Sequence, residues 1–172
     1  MLLDFDHHRA DRRALSIAFK PGPMRHYADA LNRGIAKRVE EGGSDGSGAQ
    51  LLFYPSIKEL TLDLAADSFI GIPWGPEADR INTAFVDMVQ ASVAPVRKPL
   101  PFTQMKRGVD GRAYLVDYFT RETHRRRAEG GGQDMFSQFA TAEYDDGSLM
   151  PVDEVVDHMN FLMMAAHDTI TS

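Results

Sequence analysis

The segment PVDEVVDHMNFLMMAAHDTITS, residues 151–172, decides the fold. Pro151 suits a first helical position, where a missing N–H costs nothing. Asp153 and Glu154 suit the electropositive first turn that follows. Val152, Val155, Val156, Met159, Leu162, Met163 and Ala166 recur at helical spacing and form one apolar stripe. From Phe161 to Ala166 the segment is apolar on every side, the pattern of a helix running through a core. Into that dry stretch the sequence sets His167, Asp168 and Thr169. Asp168 falls in line with Phe161, Met164 and Ala165, which aims a carboxylate along an apolar strip. No cap and no Gly follow, as expected of a core helix cut in mid-course before its natural end.

Outward from this segment the same period persists. Gly and Pro punctuate the chain at Pro21-Gly22-Pro23, 41–48, 71–76, 95–101, Gly130-Gly131-Gly132 and 145–151. Between the breaks, Met24, Tyr27, Ala28, Leu31 and Ile35 share a stripe, as do Ile81, Ala84, Phe85, Met88 and Val89. Leu115, Tyr118 and Phe119 continue the pattern, and that piece ends in Arg125-Arg126-Arg127. Three cations there complement the negative end of a helix dipole better than they make a nucleic-acid patch. No segment alternates for long, so little or no sheet is expected. The chain reads as mainly α-helical.

Composition narrows the function. With 172 residues, 43% apolar and 26% charged, the chain has the balance of one soluble globular domain. A net charge of −6 argues against nonspecific nucleic-acid binding. No apolar run approaches the roughly 20 residues of a membrane helix, and acids follow Met1-Leu2-Leu3 at once, so neither a span nor a signal peptide is expected. The expected location is the cytoplasm. Cysteine is absent, which excludes disulfides and thiolate ligands from this chain. The six histidines form no H-E-x-x-H and no close ligand spacing with carboxylates, so no zinc site is expected. No G-x-S-x-G surrounds a serine.

Two places can carry chemistry. An unpaired carboxylate inside a core is costly, so Asp168 needs a partner or a polar cavity. Thr169 adds a hydroxyl that donates and accepts, and the small Ala165 and Ala166 leave room for a flat ligand. An acid and an alcohol beside such a gap can pass protons to a bound oxygen species. The alternative is that Asp168 and Thr169 only begin a helix end or pair with a distant lysine. At the other end, His8, Arg12, Leu15 and Phe19 sit at i, i+4, i+7 and i+11, two donors beside two apolar anchors on one helical face. Facing inward they would grip two anionic groups of a cofactor, with Arg12 bidentate. Facing outward they would belong to a solvated helix in which Asp4, Asp6 and Asp11 pair with Arg9, Arg12 and Arg13.

The two ends together resemble one family. Phe161 to Ser172 looks like the long central I helix of the cytochrome P-450 haem-thiolate monooxygenases, whose pattern is [A/G]-G-x-[D/E]-T-[T/S]. His8 to Phe19 resembles the family's C helix, W/H-x-x-x-R with Phe seven residues on. Thr61 to Gly71 is similar to the E helix and its exit, and the intervening pieces fall in the family's order from C to I. The resemblance covers nearly all of residues 1–172 but less than half of a full family member. It implies an incomplete multi-helix cytochrome P-450-like fold, 1–172 forming a partial domain without the N-terminal sheet region, the E-x-x-R helix or the Cys loop.

By residue, the resemblance implies that His8 and Arg12 donate to haem propionates, and that Asp168 and Thr169 deliver protons to dioxygen at the haem. Ala165 and Ala166 match the small residues that let oxygen and substrate lie over the haem. Ala78 to Val93 and Arg112 to Arg127 would be the F and G helices, with Pro95 to Gly108 the lid between them. Phe85, Met88 and Phe161 are expected in an apolar substrate pocket, although core packing explains them equally well. Two positions depart from the pattern: Ala166 stands for the usual Gly, and Ile170 for the second Thr or Ser. The axial Cys has no counterpart here, so no metal ligand is assigned. The implied partners are an apolar small-molecule substrate, dioxygen, and a ferredoxin or flavin reductase as electron donor. From another class, a haemless helical domain binding a partner through exposed apolar stripes is the alternative; a hydrolase with Asp168 as base has no other support. Expressed alone, the chain is expected to expose a large apolar patch and to aggregate.

Overall fold

The structure, a computed structural model, describes residues 5–43 and 53–171; within these, the side chains of 41–43, 53–55, 58, 59 and 166–171 are not described. The helices are α1 (Phe5–Leu15), α2 (Pro21–Gly43), α3 (Phe53–Ala65), α4 (Pro76–Ala91), α5 (Gln104–Glu129), α6 (Met135–Ala140) and α7 (Val152–Thr171). A 3-10 turn, Ser16–Phe19, joins α1 to α2, and a π-turn, Ala66–Ile70, extends α3. Among the described residues the strand-like pairing is one antiparallel bridge, Glu143 to Leu149. The mainly α architecture with little or no sheet is as expected.

The stripe of α7 forms the centre. Val155, Val156, Met159 and Met163 are buried, and the helix packs against α3 and α5. Phe161 and Met164, however, are 51% and 41% exposed. Over its described residues the apolar run from Phe161 is therefore buried on one side only.

Among the described residues, α4 and α5 make the most extensive helix–helix contact. Gly108 faces Ala91 and Gly111 faces Ala84, so the two helices run antiparallel. A Cβ on Gly111 would stand 2.4 Å from the Ala84 carbonyl oxygen, and one on Gly108 2.2 Å from the Ala91 Cβ. This close approach corrects the expected boundary. The helix begins at Gln104 rather than Arg112, capped by the Thr103 hydroxyl, which accepts from the Lys106 N–H at 3.1 Å. Its glycines are contact points, not breaks, and the connector shrinks to 92–103.

In α2 the stripe is displaced as well. Tyr27, Ala30 and Gly34 face inward, while Met24 and Ile35 stand half exposed. A Cβ at Gly34 would meet the Leu64 side chain at 2.4 Å, so small residues set the contact. At the end of α5, Arg126 is buried, donating to the Ile70 carbonyl and the Ser137 hydroxyl, each at 2.5 Å, and pairing with Asp134. Arg127 donates to the Ala140 carbonyl at 2.7 Å and to that of Met150. These cations bind the fold together rather than presenting a basic surface.

Candidate functional site

One turn separates His8 from Arg12 on α1, and the same face continues through Leu15 into Ser16 and Phe19 of the 3-10 turn. Opposite stand His158, Phe161, Leu162 and Ala165 of α7, with Phe139 of α6 closing one side. Together they line a half-open cleft of about 670 Å³. The structure thus brings His8, Arg12, Phe161 and Ala165 from the two ends of the chain to one place. Among the described residues neither His8 nor Arg12 has an ion-pair partner, while Arg9 pairs with Asp6 and Arg13 with Asp145. The self-paired solvated helix accounts for Arg9 alone; Arg13 pairs outside α1, and the two donors that border the cleft pair with neither acid.

The cleft has a polar lip and a greasy wall. Phe19, Phe139 and Phe161 supply the aromatic surface, and Arg12 supplies a planar guanidinium with nothing described to satisfy it. That combination fits a flat apolar group bearing carboxylates, such as a haem, with His8 and Arg12 holding the acidic edge. The 172 residues contain no cysteine, so no axial thiolate can come from them.

The remaining expected residues fall as follows. Ala166, Asp168 and Thr169 belong to the last turns of α7, within one turn of Ala165, but their side chains lie outside the described residues. Phe85 is fully buried in the core on α4 and Met88 packs against that core; neither borders the cleft.

Sequence reasoning missed Asp11. It is only 2% exposed, borders the cleft, and accepts from the Tyr144 hydroxyl at 2.9 Å. His158 Nε2 lies 3.3 Å from its other oxygen, and His7 Nε2 stands 3.5 Å away. Tyr144 also contacts Glu154. Burial, and then its bonds to Glu154 and Asp11, push the Tyr144 hydroxyl well above its ordinary pKa, so it stays a donor. The spacing of His7 and Asp11, i and i+4, is local, but Tyr144, Glu154 and His158 arrive from the far end of the chain. No short-range pattern could have found that cluster.

No family model matches the chain. Its sequence is 37% identical over 175 aligned residues to cytochrome P450 136 of Mycobacterium tuberculosis, covering 100% of this chain and 35% of that protein. It is 24% identical to cytochrome P450 120 of Synechocystis, covering 96% of this chain and 36% of the relative. Among solved structures, retinoic acid-bound cyanobacterial CYP120A1 superposes with a TM-score of 0.77 at 24% identity, over 95% of this chain and 37% of that one. The chain spans about a third of the length of the curated relatives it matches.

Proposed function

This chain matches part of a cytochrome P450 along its whole length, in sequence and in fold, and on that premise we propose that it forms one wall of the haem cleft of a haem-thiolate monooxygenase. The reaction would insert one atom of dioxygen into an apolar organic substrate, with electrons from a ferredoxin or flavin reductase. The observation that carries this reading is the cleft itself, where His8 and Arg12 stand across from Phe161 and Ala165.

Haem, when bound, supplies dioxygen activation and electron storage. The chain's own residues do the rest. Arg12 and His8 would hold the acidic groups of the haem through charge-assisted hydrogen bonds. Phe19, Phe139 and Phe161 exclude water from the apolar side, and the same wall suits a greasy substrate, a class to which the retinoic acid of the cyanobacterial structure belongs. Ala165 and Ala166 keep side-chain bulk off the helix where the ligand lies. Asp168 holds a proton and the Thr169 hydroxyl hands it on, at the end of α7. Phe85 and Met88, set in the core of α4, would act on the substrate side only through the packing of that helix. These residues hold no cysteine, so they would supply no thiolate to the group. Among the described residues no helix is long and apolar enough to cross a membrane; a cytoplasmic location is part of this proposal.

Thr169→Ala in the full-length protein tests the proton role. Reductant consumed per product formed should rise about tenfold or more, the usual contribution of a positioned acid–base group being 10²–10⁴. Unchanged coupling would remove Thr169 from the mechanism.

A further inference from the structure

His7 and Asp11 stand one turn apart on α1, and Glu154 reaches them from the first turn of α7. His7 Nε2 lies 3.5 Å from Asp11 Oδ1 and 3.2 Å from Glu154 Oε1, and all three ligand atoms fall within 4.8 Å of one another. Ligands about 2.0 Å from a tetrahedral zinc ion sit about 3.3 Å apart. We propose that this triad is a zinc-class divalent metal site joining α1 to α7 and sharing only Asp11 with the cleft.

The donor set is one imidazole and two carboxylates, the mixture of nitrogen and oxygen ligands that zinc takes. Two carboxylates share few donors there. The Tyr144 hydroxyl faces both Asp11 and Glu154, and His7 Nε2 faces both as well, so two donors are divided among three carboxylate oxygens. A dication would take one oxygen of each carboxylate and leave the phenol to orient them from behind, as outer partners of metal sites do. His158 holds the remaining oxygen of Asp11 and so fixes its plane. Half-exposed His7 gives the ion a way in and leaves a fourth position for water. The sequence shows no such spacing because the third ligand is remote along the chain. The site does not depend on the haem reading.

The test is equilibrium dialysis of chelator-stripped full-length protein against Zn²⁺, with total metal measured on the retained protein. The proposal expects one zinc per chain beyond any surface-histidine background, retained in His124→Ala, which removes an exposed histidine of α5. His7→Ala and Glu154→Gln should each weaken binding by about tenfold or more, since loss of even an outer partner costs 10–100-fold. Glu154→Gln keeps shape and most hydrogen bonding, so it decides the matter should His7→Ala fold poorly. No zinc bound by the stripped protein, or equal binding by Glu154→Gln, would overturn the assignment and leave the cluster as an ion-pair network.

Discussion

Asp11 on α1 and His158 on α7 stand 3.3 Å apart, carboxylate Oδ2 to ring Nε2, at the back of the cleft. The pair, with the Tyr144 hydroxyl, sets the angle at which α1 presents His8 and Arg12. An apolar contact would slide along the helix; a buried charged acceptor with fixed donors does not.

Asp11→Ala removes the shared acceptor of Tyr144 and His158; Tyr144 keeps Glu154, while His158 Nε2 loses its partner in a nearly dry place. Stability to denaturant should fall by about 3 kcal/mol. Urea or guanidinium unfolding of the variant against the parent measures it, and a shift of a few tenths would mean that the cluster is solvated.

Gly111→Ala reports on the α4–α5 contact. On an open helix the change stabilises by about 1 kcal/mol, but here the added Cβ would lie 2.4 Å from a backbone oxygen of α4. A loss of roughly 1–3 kcal/mol is expected from such overpacking. Gly22→Ala is the control, because nothing lies within 4 Å of its Cβ position; it should be neutral or stabilising. The sign of the difference, read from thermal midpoints, separates the two.

Acid sensitivity follows from Glu122. Its hydrogen bonds from Arg125, at 2.7 to 3.1 Å, hold its carboxyl below the ordinary 4.5. A carboxyl with a lower pKa in the fold than in the unfolded chain stabilises the fold above about pH 4.5, and that contribution fades as the pH falls through the folded value. Glu122→Gln should therefore be less stable than the parent at neutral pH, with the gap closing on acidification. Unfolding curves recorded from neutral pH down to about pH 3 show whether the two converge.

The fold was legible wherever burial is carried by large side chains. Val155, Val156, Met159 and Met163 announced α7, and Ile81 with Phe85 announced α4. It was obscured where small residues make the contact. Ala30 and Gly34 are silent in a hydrophobic pattern yet face the core of α2, and Gly108 and Gly111 look like helix breakers until α4 is seen against them. The site divides in the same way. His8 and Arg12 could be paired by helical spacing alone, and they do share one cleft with Phe161 and Ala165. Asp11 could not be told from its charged neighbours, because its burial is created by Tyr144 and His158 from the other end of the chain. Asp168 and Thr169 remain known by position in α7 only, their side chains lying outside the described residues.

In the proposed function α1 grips the acidic edge of a haem, and the rate of haem loss measures that grip. Full-length protein and its Arg12→Ala variant, loaded with haem, are mixed with excess apomyoglobin, and transfer is followed by absorbance. The variant should lose haem about tenfold faster or more, the equivalent of about 1.4 kcal/mol or more, within the range of a hydrogen bond to a charged group. Equal rates of transfer from the two proteins would contradict it.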